Sequence, residues 1–114
     1  DHIVIVMQEN HSFDSLFAHL PGVDGAPDDV TLTDRDGAQV TRGHQPTMCV
    51  HDVDHGWTGS HAEANGGAND GFVSVNDPDG RRSLDFWDAT DLPYYDALAR
   101  TFAISASADF TSSR

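Results

Sequence analysis

Glu9 and Asn10 near the start, and His51, His55 and His61 in the middle, are the side chains whose type and placement could do chemistry. A carboxylate beside a side-chain amide offers oxygen ligands to a hard divalent cation. A histidine offers a nitrogen ligand, or a proton near neutral pH. Each group also has a plainer reading. Residues 9–12 could be a polar turn leading into a helix, and histidines are as often structural hydrogen-bond partners as ligands. The spacing His51-x3-His55-x5-His61 does not put all three on one helical face, and no His-Glu-x-x-His run is present. A zinc hydrolase built on these three histidines therefore stands as a rival reading.

The element that must position Glu9 and Asn10 is the run Ile3-Val4-Ile5-Val6-Met7. A β-branched run that is apolar on both faces suits a strand buried between layers of helix, and ligands collect at the carboxyl ends of such strands. Ser12 can cap a helix reaching about residue 20, with Phe13, Leu16, Phe17 and Leu20 as its apolar stripe. Two alternating stretches around Asp34-Arg35-Asp36-Gly37 predict a small β-hairpin, and the calcium-loop spacing fails there. A helix is expected over 54–64, stopped by Gly66-Gly67, with His55 about 120° around it from His61. Residues 73–90 read as a loop, with Phe86-Trp87 as core rather than pocket wall. A helix follows from Pro93, bearing Tyr95, Leu98, Ala99 and Phe102, and residues 102–107 are a second buried parallel strand candidate. Strands interleaved with helices make an α/β layered architecture the expectation.

The chain has 114 residues, 38% of them apolar, enough for one domain with a thin core. Its net charge is −13; all six basic residues are arginine, and Glu9 and Glu63 are the two glutamates. That balance argues against nucleic acid, whose phosphates need a positive surface. It fits divalent cations or a cationic headgroup, and equally a solvated acidic surface. A non-catalytic acidic module that binds cations through its Asp-rich loops is thus a second rival. A lone Cys49 excludes an internal disulfide and a thiolate zinc cluster. No stretch is long enough to span a membrane.

The run Val4-Ile5-Val6-Met7-Gln8-Glu9-Asn10-His11-Ser12-Phe13-Asp14 resembles the opening motif of the bacterial phosphoesterase family, which contains phospholipases C and acid phosphatases. His11 replaces the arginine usual in that motif. Asp54-His55-Gly56-Trp57, then His61, then Asn65-Gly66-Gly67-Ala68-Asn69-Asp70-Gly71-Phe72 is similar to the family's second block, and Asp91-Leu92-Pro93-Tyr94-Tyr95 to a third.

The resemblance implies an alkaline-phosphatase-like α/β/α fold with a mainly parallel sheet, incomplete in this chain. Residues 1–114 would be the N-terminal part of a phosphoesterase catalytic domain. It implies one divalent metal ion (calcium, magnesium or manganese) with Glu9 and Asn10 among its ligands. It also implies that either His55 or His61 contacts the substrate phosphate, the choice between them being open. The substrate would be a phosphate ester, a phospholipid headgroup among the candidates, attacked by a hydroxyl nucleophile that lies beyond residue 114. The chain alone is then expected to be inactive. A secreted or periplasmic location goes with the family, although this stretch opens without a leader.

Overall fold

The computed structural model describes residues 2–7 and 11–105. Glu9 and Asn10, and the last part of the 102–107 strand candidate, lie outside the described residues.

Local chemistry sets the first elements as the sequence suggests. Ser12, in extended backbone, accepts a hydrogen bond from the Ser15 N–H at 3.2 Å and opens helix α1, Phe13–Phe17. The helix is shorter than the apolar stripe implied, and Leu20 is buried beyond it in a turn closed by its N–H on the Phe17 carbonyl. Strands β1, Thr31–Thr33, and β2, Gln39–Thr41, form the expected antiparallel hairpin, with Leu32 opposite Val40. Asp34 makes the turn: its Oδ1 accepts from the N–H groups of Asp36 and Ala38, and Gly37 supplies the positive φ of 88°.

The histidine helix α2 runs Trp57–Ala64, three residues shorter at its start than expected. Asp54 turns its carboxylate onto the Gly56 N–H at 2.9 Å, and Gly56 stays extended, so residues 54–56 form an entry turn. The carboxylate also lies against Gly59, where a Cβ would collide with it. His55 consequently stands before the helix, and the 120° relation to His61 does not hold. At the other end the stop falls where expected, with Asn65 left-handed, followed by a 3-10 turn over Asn65–Gly67.

The stretch 73–90, read as a loop, is partly helical. It follows from helix α3, Phe72–Val75, through a 3-10 turn at Gly80–Ser83, to a buried Trp87. Helix α4, Pro93–Thr101, starts with its proline in the first turn and has Leu92 at its N-cap position. None of its residues is buried, and Leu98 and Phe102 of its stripe are exposed.

Residues 3–7 are irregular and not part of a sheet, and they are 72–91% exposed. The buried-strand expectation fails for the described residues because a strand is stabilised by neighbours, and none lies beside it. Residues 102–105 are likewise irregular and exposed. Beyond the hairpin, pairing among the described residues is a single parallel bridge between His44 and Phe86.

The core is thin, as the composition implied, and it is held largely by polar groups. Among the described residues, Leu20, Val73 and Trp87 are the buried hydrophobics, beside buried Arg42, Gln45, Glu63, Asn76 and Asp85. Trp87 is fixed by its N–H on the Ser15 carbonyl and by its indole Nε1–H on the Thr47 carbonyl. The core reading of that tryptophan therefore holds.

Candidate active site

After Met7 the opening motif re-enters the described structure at His11. The imidazole packs edge-on against Trp87, with ring centroids 4.7 Å apart. In place of an arginine's charge, this position carries a ring that anchors the motif segment on the core. His11 and Ser12 line an open cavity of about 400 Å³ with Arg42, Glu63, Asn69 and Phe72. His11 also lines a second cavity, of about 430 Å³, together with His51, Asp52, Val53 and Arg82. Residues that directly follow Glu9 and Asn10 thus face the loop that begins the histidine block.

Two side chains clamp that loop. Arg82 donates to the carbonyls of His51 at 3.1 Å and Asp52 at 3.0 Å, and to those of Asn76 and Asp79. Asn76 accepts the Asp54 N–H at 2.7 Å. Between these anchors the Val53 carbonyl receives His55 Nδ1 at 3.1 Å, with the Asp52 carboxylate 3.5 Å from the same nitrogen. Within α2, His61 Nδ1 meets the Trp57 carbonyl at 2.8 Å, and the two rings pack with centroids 4.0 Å apart. A carbonyl oxygen only accepts, so both histidines carry a proton on Nδ1. Each therefore keeps Nε2 as the atom that can accept when neutral and donate when protonated. Both side chains are exposed.

His51, His55 and His61 do not come together as a metal site. The residues that bring ligating atoms close among the described ones are His44, Asp88 and Asp91, whose atoms lie within 4.8 Å of one another. Their types could hold a cation, and sequence spacing gave no hint of the grouping, since His44 is 47 residues from Asp91. Internal hydrogen bonds account for the arrangement without one. His44 Nε2 is 2.7 Å from Asp91 Oδ2, which also accepts the Asp88 N–H, while Asp88 Oδ1 holds the Thr90 N–H and hydroxyl.

The hydrogen bond to Asp91 raises the His44 pKa above its ordinary 6.5. The Asp88 N–H, then His44, lower that of Asp91 below 3.8. The signs give a window. A raised histidine stabilises fully below 6.5 and loses its contribution as pH climbs through the raised value; a depressed aspartate stabilises above 3.8 and loses its contribution as pH falls through the lowered value. The pair should therefore favour the fold most between about pH 4 and 6.5. Thermal unfolding from pH 4 to 8.5 checks this: His44→Gln should flatten the loss above pH 6.5, and an unchanged curve would remove the pair from the balance.

Blocks from the start and the middle of the chain meet at the first of these cavities. The chain belongs to the phosphoesterase family, whose model matches residues 1–113. Among curated proteins it is 36% identical to the hemolytic phospholipase C of Pseudomonas aeruginosa, over 90% of this chain and 16% of that protein. It is 30% identical to phospholipase C B of Mycobacterium tuberculosis, over 91% of this chain and 25% of the relative. With the non-hemolytic phospholipase C of Burkholderia pseudomallei the identity is 31%, over 91% and 17% of the two chains. The chain thus spans between a sixth and a quarter of these relatives. No solved structure matches it. No described helix is long and apolar enough to cross a membrane.

Proposed function

We propose that this chain is the N-terminal part of the catalytic domain of a metal-dependent phosphoric ester hydrolase of the phospholipase C type. The observation that carries the reading is a shared cavity: His11 and Ser12, directly after Glu9-Asn10, and Asn69 and Phe72 of the second block line the same space. The two motif blocks converge, as a common substrate site requires.

In this reading Glu9 and Asn10 hold one divalent cation, a calcium, magnesium or manganese ion by the hardness of their oxygens. When bound, that ion lowers the pKa of an attacking hydroxyl and offsets charge on the phosphoryl oxygens. The hydroxyl nucleophile belongs to a residue beyond 114, and a phosphoenzyme hydrolysed by water completes turnover. The complete domain takes the α/β/α form, and residues 3–7 find their parallel neighbours there. The substrate class is a phosphate ester, with phospholipids favoured by the names of the relatives.

One histidine of the second block contacts the phosphate. Protonated at both nitrogens, its Nε2–H donates to a non-bridging oxygen or gives a proton to the leaving group. His61 is the better supported of the two, because its ring is held within a helix by the Trp57 carbonyl and ring, whereas His55 hangs from a loop. In the protein carrying this chain, His61→Gln should lower kcat by roughly 10²–10⁴-fold, the usual range for general acid–base catalysis. His55→Gln should cost less than His61→Gln. Steady-state hydrolysis of a chromogenic phosphodiester measures both, and equal, mild losses would mean that neither ring touches substrate.

A further inference from the structure

Asn76 is 3% exposed, and its amide is used at both ends. Oδ1 accepts the Asp54 N–H at 2.7 Å, in the turn that carries His55. Nδ2 donates to Glu63 Oε1 at 2.8 Å, on the helix that carries His61, and to the Phe72 carbonyl at 2.8 Å. One buried side chain therefore bonds the two histidine-bearing segments to each other and to α3. Its own carbonyl is held by Arg82, the same guanidinium that holds the His51 and Asp52 carbonyls.

We infer that Asn76 is a positioning residue, whose amide sets the register between the His55 turn and the His61 helix and so fixes the orientation of the His55 ring. The physical case is one of matched needs. The Asp54 N–H needs an acceptor, while the buried Glu63 carboxylate and the Phe72 carbonyl need donors. Asparagine is a short side chain that supplies both from one planar group. Leucine would leave the Asp54 N–H without its acceptor and Glu63 without this donor, and aspartate would face Glu63 with a second acceptor. The Val53 carbonyl that orients His55 sits one residue before Asp54, so a freed Asp54 N–H lets that carbonyl turn. His61 has its own partner inside α2 and does not depend on the bridge for its tautomer.

The catalytic consequence rests on the histidine reading above, but the orientation is tested without it. In the protein carrying this chain, label histidine with nitrogen-15 and assign His55 and His61 through His55→Gln and His61→Gln. Wild type should show pyrrole-type Nδ1 and pyridine-type Nε2 at both. Asn76→Ala should shift His55 toward the opposite tautomer and leave His61 unmoved. An unchanged His55 in a folded Asn76→Ala would overturn the inference. Should that variant fail to fold, Asn76→Asp keeps the acceptor for Asp54 and removes the donor to Glu63. The single change should lower kcat at least tenfold, and adding Glu63→Gln, which returns a donor, should recover most of the loss. Equal loss in single and double variants also overturns the bridge. A moved His55 signal with unchanged turnover keeps the positioning role and removes His55, though not His61, from the catalytic reading.

Discussion

Arg42→Met should destabilise the fold by roughly 3–5 kcal/mol, as expected when three backbone carbonyls each lose a charged donor. The side chain is 1% exposed. Its Nε donates to the Leu84 carbonyl at 3.1 Å, one terminal nitrogen to the Ala26 carbonyl at 3.1 Å, and the other to the Asp14 carbonyl at 2.7 Å. The guanidinium also lies 4.7 Å from the centre of the Phe86 ring. One residue thus joins the first helix, the segment before the hairpin and the strip that leads to Trp87. Methionine keeps the apolar stem but returns no donor, and each carbonyl left short costs about 1 kcal/mol or more. The ion pair with Asp28 adds little, since that carboxylate is mostly exposed. With only three buried hydrophobic residues among those described, little else holds these segments together. Urea unfolding checks it: the midpoint should fall sharply at constant slope. Arg42→Lys should recover only part of the loss, because an ammonium cannot reproduce the planar fork. A loss below 1 kcal/mol would mean that water takes over the three carbonyls.

What the sequence disclosed follows the range of the interactions. The hairpin was legible because Asp34 and Gly37 make its turn within four residues. The Ser12 cap and the stop after Ala64 are equally local. The start of α2 was misjudged through one carboxylate, since Asp54 satisfies the Gly56 N–H and rests on Gly59 instead of joining the helix. The run at 3–7 carries the composition of a buried strand, but burial belongs to the neighbours a strand finds. Asn76 and Arg82 were hidden for the opposite reason. They stand in a stretch with loop composition, and their partners are Asp54 and Asp52, 22 and 30 residues away. The family motifs were legible as residue types in register, and the cavity joining them was not, because its lining is gathered from segments far apart in the chain.

Glu9→Gln should nearly abolish turnover of the complete protein while leaving its fold intact. Glutamine is nearly isosteric and keeps one carbonyl oxygen, so it removes charge and little else. For a hard divalent ion that charge is decisive, because carboxylates dominate its affinity where amides only supplement them. If the ion supplies several kcal/mol of transition-state stabilisation, its loss is worth roughly 10³-fold at 1.4 kcal/mol per tenfold. Asn10→Ala should cost less, since a water can replace a neutral ligand. Chelation followed by graded return of calcium, magnesium or manganese should restore wild type at low metal. The Glu9 variant should recover only at far higher metal, if at all, and calorimetry should show its tight site gone. Two controls separate this from a folding defect: circular dichroism should be unchanged, and thermal stability without metal should match wild type. Undiminished hydrolysis by a folded Glu9→Gln would move the metal elsewhere. A tight site that survived Glu9→Gln but vanished in His44→Gln would then assign the ion to His44, Asp88 and Asp91, whose ligating atoms already lie within 4.8 Å.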